Sequence, residues 1–201
     1  YGSTNEIGMF EMGNSGLRKV PNPSMVLLSG KPQGVSGSCV ACIMEGSRPI
    51  LAEVQALVTK TSFGTPRRTA NGFDYNRMNL MLAVLEKRAG FFFGALDVYI
   101  NVVGGLRLDD PAADLSVALS LVSSLRDRAV DEDLIAFGEI GLGGEIRSVH
   151  NLAERIREAQ RLGFCRAIVP KSAVSQLSQL RSLKIELLPV SHIKEAFAVL
   201  S

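Results

Sequence analysis

The amino-acid sequence predicts a mixed α/β fold of the α+β class for a chain of 201 residues. The first half of the chain contains mainly strand patterns, whereas the second half alternates strand and helix patterns. No internal repeat, low-complexity segment or linker divides the sequence. Hydrophobic residues make up 46% and charged residues 21%, the balance of an ordinary globular domain. We therefore expect one domain with its own hydrophobic core.

Four strands and one helix are predicted in the first half. Runs of β-branched and small apolar residues predict strands at residues 6–12, 35–44, 50–59 and 97–103. Residues 61–72 contain two glycines and a proline, which predicts a loop. The following helix is predicted to start at the N-cap Asp74, to run to residue 88 and to stop at Gly90.

Helices and strands alternate in the second half. A helix is predicted over residues 111–126, because a proline stands in its first turn and its apolar residues recur on one face. Two more helices are predicted at residues 152–162, closed by Gly163, and at residues 193–200. The strands of this half are predicted at residues 134–140, 166–169 and 184–188.

Charge and cysteine content narrow the class of protein. The net charge of +2 does not by itself indicate nucleic-acid binding, so any such site must rest on local patches. No apolar run approaches the roughly 18 residues of a membrane span, and no secretion signal is expected. Three cysteines favour a reducing compartment over a disulfide scaffold. Cys39 and Cys42 fall on opposite faces of one predicted strand, which predicts packing rather than metal binding.

Two stretches carry a family resemblance. They read NVVGGLRLDDPAAD at residues 101–114 and GEIGLGGEIRSVHNLAER at residues 138–155. Over residues 97–170 the sequence resembles the proteolytic domain of Lon proteases, in which a serine nucleophile begins a helix and a lysine on a later helix acts as its base. The resemblance implies the Lon proteolytic-domain-like fold, of the ribosomal protein S5 domain 2-like type.

The catalytic pair of that pattern is replaced here. Ala112 stands at the serine position and Arg155 at the lysine position. Alanine has no nucleophilic atom, and arginine, with a pKa above about 12, cannot accept the proton. The two replacements predict a relative that does not cleave peptides. A peptidase with an unconventional site is the alternative: Ser116 lies one turn further, about 6 Å along the helix axis, and His150 lies near Ser148. An ordinary structural role is favoured for both.

Further motifs extend the resemblance over nearly the whole chain. They read YGSTNEIGMFEM at residues 1–12, EVQA at 53–56, SFGTPRRTA at 62–70, GFDYNR at 72–77, LEKR at 85–88 and DPAAD at 110–114. In this order they resemble the bacterial RadA (Sms) family of DNA-repair and recombination proteins. Its members carry a zinc finger, a RecA-like ATPase and a Lon-like C-terminal domain. We therefore expect a piece of a longer protein, in which residues 1–12 follow the ATPase core and residues 13–201 form the Lon-like domain.

The resemblance also implies a function. This chain would give hexamer assembly and DNA binding during branch migration of recombination intermediates, without catalysis of its own. The full-length protein would be a DNA-dependent ATPase or helicase that uses ATP, Mg and Zn. No cofactor or metal is expected here, and the phosphate-binding loop motif is missing. Implied partners are single-stranded or duplex DNA, further copies in a homo-hexamer and a RecA-type recombinase, in the bacterial cytoplasm or an organellar equivalent, with no membrane. A purely structural oligomerisation domain is the alternative.

Lysine and arginine residues are the candidate DNA contacts, because phosphate contacts supply most sequence-independent affinity. Arg67 and Arg68 lie in the predicted loop, where interface ion pairs and plain solvation are the alternatives. For Lys87 and Arg88 the alternative is compensation of the helix dipole at a helix end. For Arg147 and Arg166 it is pairing with interleaved glutamates. No interleaved aromatic residues suggest a stacking platform, and the run at residues 91–93 is predicted to anchor the core. The candidates are Arg67, Arg68, Arg77, Lys87, Arg88, Arg147 and Arg166.

Overall fold

The computed structural model describes residues 10–13, 16–19 and 22–200. The motif at residues 1–9 and most of the first predicted strand lie outside the described residues. The strands are β1 Phe10–Gly13, β2 Gly16–Lys19, β3 Ser38–Glu45, β4 Arg48–Lys60, β5 Arg68–Asn71, β6 Leu96–Val102, β7 Leu134–Ala136, β8 Glu139–Ile140, β9 Ile146–Arg147, β10 Arg166–Pro170 and β11 Glu186–Val190. The α-helices are α1 Pro23–Leu28, α2 Tyr75–Ala89, α3 Asp114–Arg126, α4 Leu152–Arg161, α5 Val174–Leu177 and α6 Ile193–Ala196.

A mixed sheet organises the part of the chain that the structure describes. Its seven strands follow the order β11-β10-β7-β3-β4-β6-β5. Only β4 pairs antiparallel to its neighbours, β3 and β6, so the other strands of this sheet all run in one direction. Their starting ends therefore lie at one edge, together with the end of β4. The pairs β1–β2 and β8–β9 form separate antiparallel ribbons. The mixed α/β prediction is confirmed.

Two hydrophobic cores lie on opposite faces of this sheet. Helices α2, α3 and α6 pack on one face, and α4 and α5 pack on the other. Strand β3 contributes to both cores, because its successive side chains alternate between the faces. Cys39 is buried in the first core and Cys42 in the second. The predicted packing of both cysteines on opposite sides of one strand is confirmed.

The predicted helix ends agree with the structure where a cap defines them. The Asp74 carboxylate accepts a hydrogen bond from the Arg77 main-chain N–H at 2.9 Å, as an N-cap does. Gly90 ends α2 in the left-handed region, with φ of 75°. At the next predicted helix, Pro111–Ala113 forms one 3-10 turn before α3 begins. Between Leu152 and Arg161, α4 agrees with the prediction to within one residue.

Several predicted elements differ from the structure: β3 begins at Ser38, β11 lies at Glu186–Val190, and α1 and α5 were not predicted. The predicted loop at residues 61–72 contains β5, a short edge strand that its pairing with β6 creates rather than its own residue pattern. The predicted strand at residues 134–140 is split, because Gly138 turns away to bond the Ala112 carbonyl at 3.2 Å. The last predicted helix becomes a 3-10 helix from Phe197 onward. No helix in the described ranges is long and apolar enough to span a membrane.

Candidate functional site

The degenerate dyad, Ala112 and Arg155, lies where the loop after β6 enters α3. Pro111 fixes the first turn of this segment, and Asp110 caps it by accepting the Ala112 main-chain N–H at 3.0 Å. Ala112 is only 1% exposed, and its methyl group is in the interior. The segment thus keeps the strand-to-helix turn of the Lon pattern, with a buried methyl group at the position of the nucleophile.

Arg155 reaches this turn from α4 although it is only 2% exposed. Its Nη2 donates to Asp110 Oδ2 at 2.7 Å, its Nη1 to the Cys42 carbonyl at 2.8 Å and its Nε to the His150 carbonyl at 2.8 Å. Asp110 Oδ2 also accepts the Met44 main-chain N–H at 3.1 Å. The Asp110 carboxylate therefore joins the two positions of the dyad, one through its backbone and the other through its side chain.

The described residues around this turn offer no alternative nucleophile. The Ser116 hydroxyl is fully buried, 2.8 Å from the Val40 carbonyl and 2.9 Å from the Ala136 carbonyl. It links β3 to β7 and does not face solvent. Burial raises the pKa of the Cys42 thiol to about 12, and burial likewise raises that of Cys39 to about 11. Both sulfurs therefore stay protonated and unreactive near neutral pH.

The remaining polar groups near the turn have structural partners. Ser148 and Ser172 share a hydrogen bond of 2.8 Å at the surface, and His150 contributes its carbonyl to Arg155 while its ring lies in solvent. No group of three or more His, Cys, Asp or Glu residues within the described ranges could hold a metal ion. Within the described residues, these polar groups around the turn bind one another and main-chain carbonyls.

A second, half-buried ion pair lies at the first residue of α3. Arg77 donates two side-chain hydrogen bonds to the Asp114 carboxylate, which also accepts the Ile140 main-chain N–H at 3.1 Å. Burial raises the pKa of Asp114, and Arg77 opposes that rise. The hydrogen bonds that Arg77 donates to Asp114 in turn raise the pKa of Arg77. This DNA candidate therefore holds α2 to α3 and to β8, although its side chain remains partly exposed.

The other predicted DNA contacts separate into two groups. Arg147 pairs with Glu145 at 3.3 Å, and Arg166 pairs with Asp131 and Asp133. The hydrogen bonds that Arg166 donates to these aspartates raise its pKa. Both arginines are thus paired with carboxylates, although not with the interleaved glutamates of the alternative interpretation. Of the remaining candidates, Arg67 and Arg68 lie at the start of β5, and Lys87 and Arg88 lie in the last turn of α2, the helix that precedes β6 in the chain.

We name this second group the basic edge; it consists of Lys60, Arg67, Arg68, Lys87 and Arg88. Lys60 ends β4 opposite Leu96, and Arg67 precedes β5. Lys87 and Arg88 lie in the last turn of α2. Arg68 has a structural role, because its guanidinium donates to the Phe93 carbonyl at 2.8 Å and also to the Leu96 carbonyl. Arg88 donates to the Leu142 carbonyl at 3.3 Å.

Two carboxylates that organise these sites were not singled out from the sequence. Asp110 is recognisable only as a residue before a helix-starting proline, which predicts a cap but not its ion pair. Asp97 accepts the Arg67 main-chain N–H at 2.7 Å and the Thr61 hydroxyl at 2.9 Å. These two hydrogen bonds lower its pKa. Such long-range partners leave no local signal in a sequence.

Comparison with known proteins agrees with this geometry. The model of the Lon protease (S16) C-terminal proteolytic domain matches residues 77–200. The chain is 47% identical over 199 residues to a DNA repair protein RadA of Halalkalibacterium halodurans, covering 99% of this chain and 43% of that protein. It is 48% identical over 199 residues to a DNA repair protein RadA of a Synechocystis species, covering 99% of this chain and 39% of that protein. It is 45% identical over 196 residues to a DNA repair protein RadA of Bacillus subtilis, covering 98% of this chain and 42% of that protein.

The chain spans about two fifths of the length of these curated relatives. The matches confirm both resemblances predicted from the sequence, to the Lon proteolytic domain and to the RadA proteins. They leave the individual roles of the basic residues as predictions.

Proposed function

This chain belongs to the family of the Lon protease C-terminal proteolytic domain and is similar to DNA repair proteins RadA, and from that premise we propose that it is a non-proteolytic domain for assembly and DNA binding. The observation that carries the proposal is the ion pair between Asp110 and Arg155 at the position of the catalytic pair. A buried charge needs a partner and hydrogen bonds, and both are supplied here. The site serves the stability of the fold instead of hydrolysis.

DNA binding is assigned to the basic edge. Lys60, Arg67 and Lys87 are exposed, and no ion pair to a described residue neutralises them. Cations of this kind exchange bound counterions for DNA phosphates, which gives affinity without sequence preference. The degenerate dyad lies near the opposite edge of the sheet, beyond the end of β3, so the two features do not compete for one surface.

Assembly and branch migration complete the proposal. In a full-length protein we expect a RecA-like ATPase to use ATP and Mg, a zinc finger to hold Zn, and this domain to join six copies in a ring. A RecA-type recombinase is the proposed partner, and the bacterial cytoplasm the proposed location. This part of the proposal rests on the similarity to RadA proteins and on the absence of a phosphate-binding loop motif in this sequence.

Salt-dependent DNA binding tests the proposal. The logarithm of the duplex affinity falls with the logarithm of salt concentration, with a slope of about −0.9 for each phosphate contact. We expect Arg67→Ala and Lys87→Ala each to reduce the steepness of that slope by about 0.9. Arg157→Ala, an exposed cation on α4, is the matched control and leaves the slope unchanged. Equal slopes for all four proteins would remove the basic edge from the proposal.

Peptide cleavage and size in solution separate the alternatives. We expect no hydrolysis of an unfolded protein substrate; turnover that disappears in Ser116→Ala would restore the peptidase hypothesis. A purely structural assembly domain is favoured by the pairing of Arg77, Arg147 and Arg166 with carboxylates. A hexamer by light scattering that has no DNA affinity at low salt would support this alternative instead.

A further inference from the structure

A phenylalanine ring stands in solvent within the basic edge. Phe63 is 93% exposed and lies in the middle of the turn at residues 61–67 that connects β4 to β5. A fully exposed phenylalanine forgoes the roughly 1.5–3 kcal/mol that burying its side chain would release. A flat apolar partner that covers this ring would recover that free energy, which makes Phe63 a potential contact site.

The turn that carries Phe63 is anchored at both ends by one carboxylate. Asp97 Oδ1 accepts the Thr61 hydroxyl at 2.9 Å and the Arg67 main-chain N–H at 2.7 Å. The Arg67 carbonyl in turn accepts the Val98 main-chain N–H at 2.9 Å. These hydrogen bonds fix the two ends of the turn, and Phe63 lies between them with its side chain 93% exposed.

A second exposed ring belongs to the neighbouring loop. Phe91 is buried, stacks edge-on against Phe197 with 5.2 Å between ring centroids, and carries the Arg126 guanidinium 4.6 Å above its ring. Phe93 is buried as well. Phe92, between these two anchors, points outward and is 65% exposed. The predicted core role of this run therefore holds for Phe91 and Phe93 and is wrong for Phe92.

Arg68 connects the turn at residues 61–67 to the loop at residues 91–93, and the positive charge around both loops indicates an anionic partner. Arg68 follows Arg67 at the end of the first turn, and its guanidinium reaches the Phe93 carbonyl at 2.8 Å. Lys60 ends β4 opposite Leu96, and Lys87 lies in the last turn of α2. Neighbouring carboxylates in these segments include Asp97, whose Oδ1 accepts two hydrogen bonds from the turn, and Glu86 on α2. Exposed aromatic rings next to exposed cations are suited to a polyanion that also presents flat apolar faces. An unpaired nucleic-acid strand has both properties.

We propose that the exposed rings of Phe63 and Phe92 stack on unpaired bases of a single-stranded DNA whose phosphates the basic edge binds. This inference rests on the proposed DNA binding and adds the form of the strand. In duplex DNA the bases are already stacked on one another and offer no face to these rings. A preference for single-stranded over duplex DNA is therefore expected to depend on Phe63.

Tryptophan fluorescence gives the direct test. The chain has no tryptophan, so Phe63→Trp introduces a single fluorophore at the proposed contact. The titrant is a thymidine homopolymer of about 20 nucleotides, longer than the ~4–16 nucleotides that one binding fold covers. Stacking quenches the indole emission, whereas phosphate binding alone leaves it nearly unchanged. We expect strong quenching with the homopolymer and little with an abasic strand of equal length and charge. Equal responses to both strands would overturn the inference.

Affinity measurements provide the second test. We expect Phe63→Ala to weaken binding of the homopolymer about tenfold or more, and binding of the abasic strand less than about twofold, because only one of them has bases to stack. Tyr75→Ala is the matched control: Tyr75 is 51% exposed but begins α2, away from the basic edge, so its loss leaves both affinities unchanged. Circular dichroism confirms that each variant is folded.

The outcomes also separate this inference from the function on which it rests. If the chain binds the homopolymer and loses affinity in Arg67→Ala but not in Phe63→Ala, DNA binding stands and base stacking is wrong. If the unmodified chain binds neither the homopolymer, the abasic strand nor a duplex at low salt, both proposals are wrong. Quenching of Phe63→Trp together with loss of affinity in Phe63→Ala supports both.

Discussion

The guanidinium of Arg155 donates to three acceptors from three separate nitrogen atoms, whereas a lysine would have to reach all three from one nitrogen. An ammonium group presents one compact point of charge, whereas a guanidinium is a planar fork with five N–H donors. Arg155 uses that fork to bond one carboxylate and two main-chain carbonyls from separate segments. The replacement of the catalytic base therefore changes the role of the position, from proton transfer to joining β3, α4 and the turn before α3.

Removal of Arg155 leaves a buried carboxylate and a carbonyl without their partner. We expect Arg155→Ala to lower the free energy of unfolding by about 3–5 kcal/mol, the usual cost of breaking a buried ion pair from one side. Arg157→Ala removes the same kind of side chain two positions further on the exposed face of α4, and should change stability by less than about 0.5 kcal/mol. Urea unfolding followed by circular dichroism measures both variants. Equal midpoints would show that the Asp110 pair contributes nothing.

Elements with their own end signals were predictable from the sequence, and elements made by their neighbours were not. Helix α2 has fifteen residues with an apolar stripe, and a capping aspartate and a glycine flank its two ends. Strand β5 has four residues, half of them exposed, and exists because β6 offers a free edge. The same distinction holds at the sites. The positions of Ala112 and Arg155 could be identified from a sequence motif, whereas the roles of Asp110 and Asp97 depend on partners distant in sequence.

The left-handed end of α2 yields a prediction at the scale of one element. Gly90 has φ of 75°, and a Cβ added there would meet no atom within 4 Å. Gly90→Ala should therefore cost about 1–2 kcal/mol of stability through backbone strain alone. Gly94, four residues on, is equally uncrowded but does not have a positive φ. Gly94→Ala should stabilise the fold by about 0.4–1 kcal/mol, because it restricts the unfolded chain.

Thermal unfolding of the two variants decides whether strain is the cause. Opposite shifts of the midpoint, downward for Gly90→Ala and upward for Gly94→Ala, are expected. Since the two sites are matched in free space, a downward shift in both would point to crowding or altered loop packing instead of the left-handed backbone.

On the scale of the whole molecule, the seven-stranded sheet has a hydrophobic core on each face and a different polar site at each end of its strands. Strands β3 and β7 place alternate side chains in both cores, so neither core can be lost without disrupting the sheet. The turn with the degenerate dyad lies beyond the end of β3, and the basic edge lies where β5 and β6 start. The stabilising ion pair and the proposed DNA surface can therefore vary independently.

A sheet shared by both cores predicts cooperative unfolding of the described domain. Ile100 on β6 is buried in the first core and Ile156 on α4 in the second. Replacing either by valine removes one methyl group and should lower the free energy of unfolding by about 0.5–1.5 kcal/mol.

Urea unfolding measures whether the sheet couples the cores. If it does, each variant shifts a single urea transition to lower concentration with an unchanged m-value. The double variant shows the sum of the two costs, because the residues share no contact partners. Far-ultraviolet circular dichroism and tyrosine fluorescence should report the same midpoint in all four proteins. Ile156→Val producing a separate early transition in one probe would show that α4 and α5 unfold on their own.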